Sequence, residues 1–331
     1  MKYRRLGRSG LSVSELCLGT MTFANQADEA ESRAILDTAV EAGISFIDTA
    51  DAYPIGIGLD ALGKTEEIIG RWLKGRDRSD LVIATKGNSP TGPLPFQRGN
   101  GRQHLMQAID DSLRRLGTDY VDVYLVHFYD RHTPVDETLD ALDRIVTSGK
   151  ARYVGCSNHL AYQVARALGR SEALGLQRYS VVQPRYNLLF RQFERELFPL
   201  CAEEGLGVMT YNPLAGGLLS GKYDFSAPPP EGTRFTLGKS GATYRDRYWD
   251  QARFDATMRV QEIAGDLGMD LPTLGVSWVL KNPVVSSVII GASRAQQLAA
   301  TLAAAEAQLP DDAYAALDEA TREFRFGDDT R

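Results

Sequence analysis

Four polar residues of this 331-residue chain stand where predicted β-strands end and loops begin. Asp48 closes the run ISFID, and Tyr53 follows it in the loop. Lys86 ends the run DLVIATK, and His127 ends YVDVYLVH. Because the carboxyl ends of neighbouring parallel strands open onto the same side of a sheet or barrel, we expect these four side chains to converge on one site.

The four residue types together suit proton transfer to a carbonyl group. A tyrosine hydroxyl has an ordinary pKa of about 10, so Tyr53 needs a neighbouring cation that favours its phenolate. Lys86 can supply that cation, and Asp48 can hold the lysine charged and in place. A neutral His127 can donate a hydrogen bond to a carbonyl oxygen. Each residue alone fits a turn, packing or core role, but their joint placement predicts proton delivery to a carbonyl that receives a hydride.

Three other chemistries fit these strand ends less well. A glycosidase needs two carboxylates there, whereas the fourth and seventh strands end in His127 and in Tyr211-Asn212. A Schiff-base lyase would use Lys86 as a nucleophile, but Asp48 beside it would keep the amine protonated. A metal-dependent hydrolase needs clustered ligands, and the histidines are scattered at positions 104, 127, 132 and 159.

Residues 58–65, GLDALGKT, match the phosphate-binding pattern G-x-x-x-x-G-K-[ST]. Such a loop joins a buried strand directly to a helix, so that backbone amides surround the phosphates. Here the preceding strand ends well before Gly58, although Lys64 does open a predicted helix. A nucleotide site at 58–65 is therefore a remote alternative. The plainer interpretation is a loop that enters a helix with Thr65 as its N-cap.

Short β-rich runs alternate with helical patterns along almost the whole chain. Eight strands are predicted, each followed by a helix, and a hairpin with its turn at residues 8–10 precedes them. Strands that helices separate run parallel, and eight such units close most economically into a (β/α)8 TIM barrel. We therefore expect a single α/β barrel domain over residues 1–331, with a doubly wound open sheet as the alternative fold.

A long loop, residues 222–253, separates the seventh strand from its helix. Its prolines and glycines argue against a simple helix, and its aromatic residues indicate packing onto another surface. Near the C-terminus, the alanine-rich segment 295–309 predicts a plain helix.

Composition and charge exclude several function classes. The formal net charge of −6 argues against a nucleic-acid partner, which needs a basic face. No apolar run approaches the length of a membrane span, and the first residues lack the apolar core of a signal peptide. The three cysteines form neither a disulfide pattern nor a zinc motif, so a cytoplasmic location is expected.

Several segments, in order, resemble the aldo-keto reductase superfamily over essentially the full length of the chain. They are LGTM, FIDTADAY, LVIATK, YVDVYLVH, GKARYVGCSN, VVQPRYN, MTYNPLAGGLLSGKY and VIIGASRAQQL. The resemblance implies a barrel closed at its base by the hairpin and NADPH-dependent reduction of an aldehyde or ketone to an alcohol. It also implies that Asp48, Tyr53, Lys86 and His127 form the catalytic tetrad, with Tyr53 as the general acid.

The resemblance further implies an NADPH or NADP⁺ site across the barrel mouth. The residues that match nicotinamide contacts are Ser157, Asn158, Gln183 and Tyr211, and Thr20, Met21 and Asp48 are also predicted to contact the cofactor. Those that match the pyrophosphate clamp are Asn212, Pro213, Leu214, Gly216, Lys222 and Arg234. Those that match the adenosine and its 2′-phosphate are Gly291, Ser293, Arg294 and Gln297. One departure is Thr301, where the family usually has an asparagine that contacts adenine, and it bears on the preference for NADPH over NADH.

The substrate of such an enzyme would be a small-molecule carbonyl compound. Predicted substrate contacts are Tyr53, His127, Phe23 and Phe128, and other pocket candidates are Tyr129, residues 244–249, and Phe324 or Phe326. The family also includes potassium-channel β subunits, so an NADP(H)-binding regulatory or sensor subunit is the alternative function. The sequence specifies neither the physiological substrate nor the oligomeric state.

Overall fold

Eight parallel strands form a closed barrel in the computed structural model, which describes residues 1–325. An antiparallel hairpin, β1 (Tyr3–Arg5) and β2 (Ser12–Ser14), precedes it. The barrel strands are β3 (Leu16–Gly19), β4 (Phe46–Asp48), β5 (Val82–Gly87), β6 (Val121–Val126), β7 (Ala151–Ser157), β8 (Val181–Gln183), β9 (Gly207–Thr210) and β10 (Val285–Ile290). They pair in sequence order, and β10 closes onto β3. The predicted barrel and hairpin are confirmed.

Helices follow the strands on the outside of the barrel. They are α1 (Glu29–Glu41), α2 (Lys64–Leu73), α3 (Arg102–Leu116), α4 (Val135–Thr147), α5 (Ala161–Leu174), α6 (Leu197–Glu204), α7 (Gly238–Tyr248), α8 (Gln251–Asp266), α9 (Leu271–Lys281), α10 (Leu298–Leu302) and α11 (Asp311–Ala320). Glycines in the left-handed conformation end α3, α5 and α6, which is the usual C-terminal stop. Within residues 1–325, no helix combines the length and apolarity of a membrane-spanning segment.

Three local predictions are wrong. The 222–253 loop contains α7, because Tyr244 and Tyr248, one turn apart, are both buried and fix a helix that the local sequence does not favour. The predicted plain helix at 295–309 is broken into α10 between two 3₁₀ turns. Thr65 does not cap α2, which begins at Lys64 after a left-handed Gly63, because the Thr65 hydroxyl donates to the Phe23 carbonyl instead.

The barrel interior is filled by a small apolar cluster drawn from the hairpin and from most of the barrel strands. Its members are Leu6, Val13, Cys17, Phe46, Ala84, Val123, Leu125, Val181, Met209 and Ile289. Leu6 and Val13 come from the hairpin, which therefore plugs the amino-terminal end of the barrel. The hairpin turn comes so close to β9 that a Cβ on Gly7 would lie 2.3 Å from the Gly207 nitrogen. This packing leaves the carboxyl end as the open face.

Strand alternation places the candidate site directly above this interior cluster. Side chains two positions apart on a strand share a face, so the residue two after an interior position also points inward. Asp48 follows Phe46 in this way, Lys86 follows Ala84, His127 follows Leu125, Gln183 follows Val181 and Tyr211 follows Met209; these pairs span five strands. The strand pattern thus builds a polar layer on an apolar floor.

Candidate active site

Asp48, Lys86 and Tyr53 form one buried, hydrogen-bonded unit at the carboxyl end of the barrel. The Lys86 ammonium donates to Asp48 Oδ2 and to the Thr49 carbonyl, each at 2.7 Å, and to Tyr53 Oη at 3.3 Å. Gln183 Nε2 donates to the other Asp48 oxygen at 2.7 Å. Lys86 is 0% exposed and Asp48 is 3% exposed. All three ammonium protons therefore have acceptors, which a buried charge requires.

Burial and ion pairing act against each other in this unit. Burial by itself would lower the pKa of Lys86, but Asp48 and Tyr53 outweigh it and the net direction is upward. Burial raises the pKa of Asp48, and Lys86 opposes that rise. The proton stays on the lysine, because the ordinary pKa of an amine lies far above that of a carboxyl group.

Tyr53 departs from the sequence-based expectation for its acidity. Burial raises the pKa of Tyr53 above its ordinary value, and the nearby Lys86 lowers it by less than burial raises it. The expected influence of the cation is present, but the loss of solvent around a phenolate is the larger effect. Tyr53 is therefore a protonated hydroxyl at neutral pH.

His127 lies against Tyr53 and is uncharged. The two ring centroids are 5.9 Å apart with an interplanar angle of 74°, and Phe128 stacks on the imidazole with centroids 4.5 Å apart. Burial and the positive charge of Lys86 hold the pKa of His127 well below its ordinary value. The neutral imidazole agrees with the role predicted for it, since its N–H can donate to an uncharged oxygen.

The residues predicted to contact a nicotinamide form a network next to the tetrad. Tyr211 Oη donates to Asn158 Oδ1 at 2.7 Å, and Asn158 Nδ2 donates to the His127 carbonyl at 2.9 Å. Ser157 Oγ donates to the Gln183 carbonyl at 2.8 Å. Asn158 has a φ of 58°, a left-handed conformation that asparagine tolerates better than most residues. The amide nitrogen of Gln183 is committed to Asp48, so this network and the tetrad are one connected structure.

Two further predicted cofactor residues lie at the end of β3. Thr20 is fully buried, and its hydroxyl donates to the Asp48 carbonyl at 2.9 Å. Met21, next to it, is half-buried. Thr20 therefore helps to fix the end of β4, which carries Asp48.

The loop after β9 turns tightly around Asn212. Asn212 has a φ of 63°, and its side chain accepts from the Gly216 N–H at 2.7 Å and donates to Tyr248 Oη at 2.9 Å. Gly216 has a φ of 72°, and a Cβ there would lie 2.7 Å from the Tyr244 ring. Pro213 is buried and Leu214 is half-buried in the same turn. The turn thus ties β9 to α7.

Five cations follow the carboxyl ends of β8, β9 and β10. We call them the cationic arc: Arg185, Lys222, Arg234, Arg247 and Arg294. Within residues 1–325, none of the five makes a salt bridge to a carboxylate. The sequence predicted three of them as phosphate contacts and missed Arg185 and Arg247.

The predicted 2′-phosphate segment begins just after β10. Arg294 is exposed, and it immediately precedes a 3₁₀ turn, Ala295–Gln297. Gln297 Oε1 accepts from the Ser293 N–H at 2.9 Å, so part of its amide is already used within the turn. Gly291 is exposed beside β3, with the Gly19 carbonyl 3.4 Å from an added Cβ.

Thr301, the departure noted in the sequence, is buried in the adjoining helix. Its hydroxyl donates to the Leu298 carbonyl at 3.0 Å, and the residue is 3% exposed. Its side chain therefore serves α10 rather than an outward contact.

Comparison with known proteins identifies the family. The model of the aldo/keto reductase family matches residues 15–322. The chain belongs to the aldo/keto reductase family. A probable voltage-gated potassium channel subunit beta from Arabidopsis thaliana is 38% identical over 309 residues, covering 90% of this chain and 89% of that protein. The uncharacterized oxidoreductase YrpG of Bacillus subtilis is 37% identical over 316 residues, covering 93% and 92%. L-glyceraldehyde 3-phosphate reductase of Escherichia coli K12 is 35% identical over 305 residues, covering 90% and 86%.

This aldo/keto reductase differs from the sequence-based expectation on its substrate side. Phe128 is 44% exposed over His127, as a pocket wall would be. Phe23 is fully buried in the outer apolar core, which is a packing position. Phe324 is buried as well, with the Arg253 guanidinium 5.2 Å from its ring. Phe326, the other candidate from the tail, lies outside the described residues.

The phosphate-loop match at 58–65 does not form a phosphate loop. Residues 49–57 separate β4 from Gly58, and a 3₁₀ turn at Leu59–Ala61 occupies the middle of the match. Lys64 is exposed at the start of α2. The strand–loop–helix geometry that would hold phosphates is missing there.

Asp51 is another buried carboxyl group of the site region, which the sequence analysis did not predict. Asp51 is 1% exposed, and neither carboxylate oxygen bonds to another side chain. Burial raises the pKa of Asp51 well above its ordinary value, and the carboxyl of Glu66 adds to the rise. Glu66 itself is paired, since it accepts from Thr85 at 2.6 Å and from Arg115 at 2.7 Å. The sequence indicates this residue only by its position, three residues after Asp48 in the segment FIDTADAY.

Proposed function

We propose that this protein reduces an aldehyde or a ketone to an alcohol with NADPH, and that Tyr53 delivers the proton. The observation that carries the proposal is the single buried ammonium of Lys86, which contacts Asp48 and the Tyr53 hydroxyl together. Membership of the aldo/keto reductase family supports the same reaction class. A general acid next to a fixed cation suits the developing charge on a carbonyl oxygen.

Proton transfer divides among the four side chains. The raised pKa of Tyr53 keeps its hydroxyl protonated until the substrate oxygen becomes basic enough to take the proton. Lys86 then faces the phenolate that remains, and Asp48 holds the lysine in position. His127, which is neutral, donates a hydrogen bond that orients the carbonyl oxygen toward Tyr53. His127 and Phe128 thus complete the substrate side of the site.

The residues at the barrel mouth fit NADPH, which when bound supplies the hydride. Lys222, Arg234 and Arg294 of the cationic arc have no carboxylate partners within residues 1–325, so a ligand with several phosphate charges would complete this part of the arc. Lys222 and Arg234 would hold the pyrophosphate, and Arg294 with Ser293 would hold the 2′-phosphate. The predicted nicotinamide residues already form a connected polar network beside the tetrad. Asn158 and Gln183 would orient the carboxamide, and Tyr211 would support the ring.

Turnover tests this proposal directly. NADPH oxidation is followed by absorbance with a panel of small aldehydes and ketones, using the wild type and Tyr53→Phe. We expect Tyr53→Phe to lower kcat/KM by about 10²- to 10⁴-fold, the range for loss of a general acid. Tyr162→Phe is the matched control, because that tyrosine is 61% exposed on α5. Equal turnover by the wild type and Tyr53→Phe would refute the assignment.

The name of the plant relative favours a second candidate, an NADP(H)-binding subunit that regulates a partner. The same experiment separates the two functions, because a regulatory subunit binds NADPH but turns over no faster than its Tyr53→Phe variant. The paired, buried tetrad favours catalysis, since a cofactor sensor has no need of a proton donor beside an ammonium group.

A further inference from the structure

Arg185 occupies the next inward position of β8 beyond the candidate site. The strand ladder continues past Gln183, because the Tyr211 N–H donates to the Pro184 carbonyl at 3.0 Å and Arg185 bridges to Tyr211. Val181, Gln183 and Arg185 therefore alternate to the same side, with Val181 in the barrel interior. This alternation directs Arg185 to the barrel mouth, one layer above Gln183.

The Arg185 guanidinium is desolvated without a counter-ion. Its Cζ lies 3.4 Å from the Phe190 ring centroid and 5.6 Å from that of Tyr248. Within residues 1–325, its buried Nη1 has no hydrogen-bond partner and the residue makes no salt bridge, although the guanidinium does have a side-chain hydrogen bond with Tyr248. Burial, with a contribution from Arg247, lowers its pKa. Arg185 is half-buried, and a partly desolvated cation without an anion is costly, so the position differs from that of a paired arginine such as Arg191.

Arg247 adds a second cation to the same corner. It lies on α7, its Cζ is 6.0 Å from the Tyr244 ring, and it influences the pKa of Tyr211. Among the described residues, the titratable neighbours that act on Arg185 are Tyr211, Tyr248 and Arg247, and none of these three is a carboxylate. Tyr244, in turn, acts on the pKa of Tyr53. Tyr53 and Arg247 therefore both lie within electrostatic or contact range of Tyr244.

We propose that the substrate is a carbonyl compound that carries an oxyanion, a carboxylate or a phosphate, and that Arg185 and Arg247 receive this group. The proposal rests on the reductase function proposed above. A planar guanidinium stacked on an aromatic ring presents its N–H edge to an oxyanion, with which it forms strong bidentate hydrogen bonds. The hydrocarbon part of the substrate would lie against Phe128. An oxyanion of the cofactor is the competing occupant, and the experiment distinguishes the two.

The first test compares two substrates that differ in one charge, para-carboxybenzaldehyde and its methyl ester. In the wild type we expect kcat/KM to favour the acid by about tenfold or more, as a charge-assisted hydrogen bond allows. In Arg185→Gln the ratio of the two kcat/KM values should fall toward one, whereas Arg185→Lys should keep part of it. Arg152→Gln is the matched control: Arg152 also stacks on an aromatic ring, 4.2 Å from Tyr120, but at the opposite end of the barrel. No preference for the acid in the wild type would overturn the proposal.

A second arm measures binding without turnover. Benzoate and benzamide are titrated calorimetrically into the wild type with NADP⁺, then into Arg185→Gln and Arg247→Gln. Benzoate should bind the wild type about tenfold more tightly than benzamide does, and each variant should lose that margin. If no aldehyde is reduced but benzoate binding depends on Arg185, the reductase proposal fails and the oxyanion site stands. If Arg185→Gln weakens NADPH binding and leaves the acid-to-ester ratio unchanged, Arg185 is a cofactor contact and the substrate proposal fails.

Discussion

The tetrad and the cationic arc share one barrel mouth but satisfy their charges in opposite ways. In the tetrad, Lys86 has three acceptors and Asp48 has two donors, all within the protein. In the arc, no arginine or lysine has a carboxylate partner within residues 1–325, and Arg185 even buries an unpartnered Nη1. The tetrad is balanced within the fold, whereas the arc has no such balance among the described residues and is where we propose that anionic ligands bind.

This difference separates the residues on which the stability of the fold depends from those on which ligand binding depends. Removing one member of a buried pair leaves the other charge without compensation, so tetrad substitutions should affect both stability and turnover. Removing an exposed cation with no internal partner takes nothing from the fold, so substitutions of the exposed arc residues should affect binding alone.

The largest effect is expected for Lys86→Met. Asp48 would remain buried with only Gln183 as a donor, and the free energy of unfolding should fall by about 3–5 kcal/mol. The phenolate of Tyr53 would also lose its cation, so kcat/KM for an aldehyde should fall by about 10²-fold or more. Denaturant unfolding and NADPH oxidation measure the two quantities. The control is Lys64→Met at the exposed start of α2. If Lys86→Met were as stable as this control, the stability of the fold would not depend on the charge pairing in the tetrad.

The next effect, confined to binding, is expected for Arg294→Ala. We predict that NADPH affinity falls by about tenfold or more, the usual loss when a hydrogen bond to a charged group is removed. NADH affinity should not change, because NADH lacks the 2′-phosphate, and the melting temperature should stay that of the wild type because Arg294 has no internal carboxylate partner within residues 1–325. Fluorescence titrations of the two cofactors provide the measurement. An equal loss for NADPH and NADH would place Arg294 at another part of the cofactor.

The fold and the tetrad could be predicted from sequence because both follow from alternation. Strand runs separated by helices force a parallel sheet, and the residue at each strand end has a predictable direction. Asp48, Lys86 and His127 stand two positions after interior apolar residues, so pattern alone brings them together. Arg185 obeys the same rule, but nothing in a single sequence showed that β8 continues past Gln183.

The missed features depend on tertiary packing and solvent exclusion. The helix α7 forms because Tyr244 and Tyr248 bury their rings, although it contains Gly238 and Gly241, which disfavour a helix. The pKa of Tyr53 is raised because the effect of burial exceeds that of Lys86. The balance between the two effects depends on how deeply the hydroxyl is buried in the folded protein, which the residue types alone do not specify. The location of Phe23 after the first barrel strand predicted a substrate contact, but its side chain is part of the outer apolar core.

The variant Asp51→Asn tests the effect of partners on a buried acid, because Asp51 is buried like Asp48 but lacks the hydrogen-bond donors that Asp48 has. Burial raises the folded-state pKa of Asp51, whereas the unfolded value is about 3.9. Between these two values the unfolded chain releases a proton that the folded chain keeps, so wild-type stability falls as pH rises. The asparagine side chain has no such proton, so the variant should become more stable relative to the wild type as pH rises from the unfolded pKa toward the folded one.

Urea unfolding of the wild type and Asp51→Asn across mildly acidic to alkaline pH measures this difference. Asp60→Asn is the control, because Asp60 is exposed in the 3₁₀ turn Leu59–Ala61. A difference between Asp51→Asn and the wild type that shrinks as pH rises would mean that Asp51 is ionised and paired in the folded protein.

The smallest effect is expected for Glu31→Gln, which tests a carboxylate next to the arc. Glu31 Oε1 accepts from the Ala295 N–H at 2.7 Å, immediately after Arg294, so its negative charge lies where we propose that the 2′-phosphate binds. Glutamine keeps the accepting oxygen and removes the charge. NADPH affinity should therefore rise by about two- to fivefold, the effect of one charge near the protein surface, while NADH affinity stays the same. Fluorescence titration at low and high salt checks the cause, because screening should reduce the gain. A weaker affinity for NADPH in Glu31→Gln would show that Glu31 supports cofactor binding, and the arc would then not be a purely cationic ligand surface.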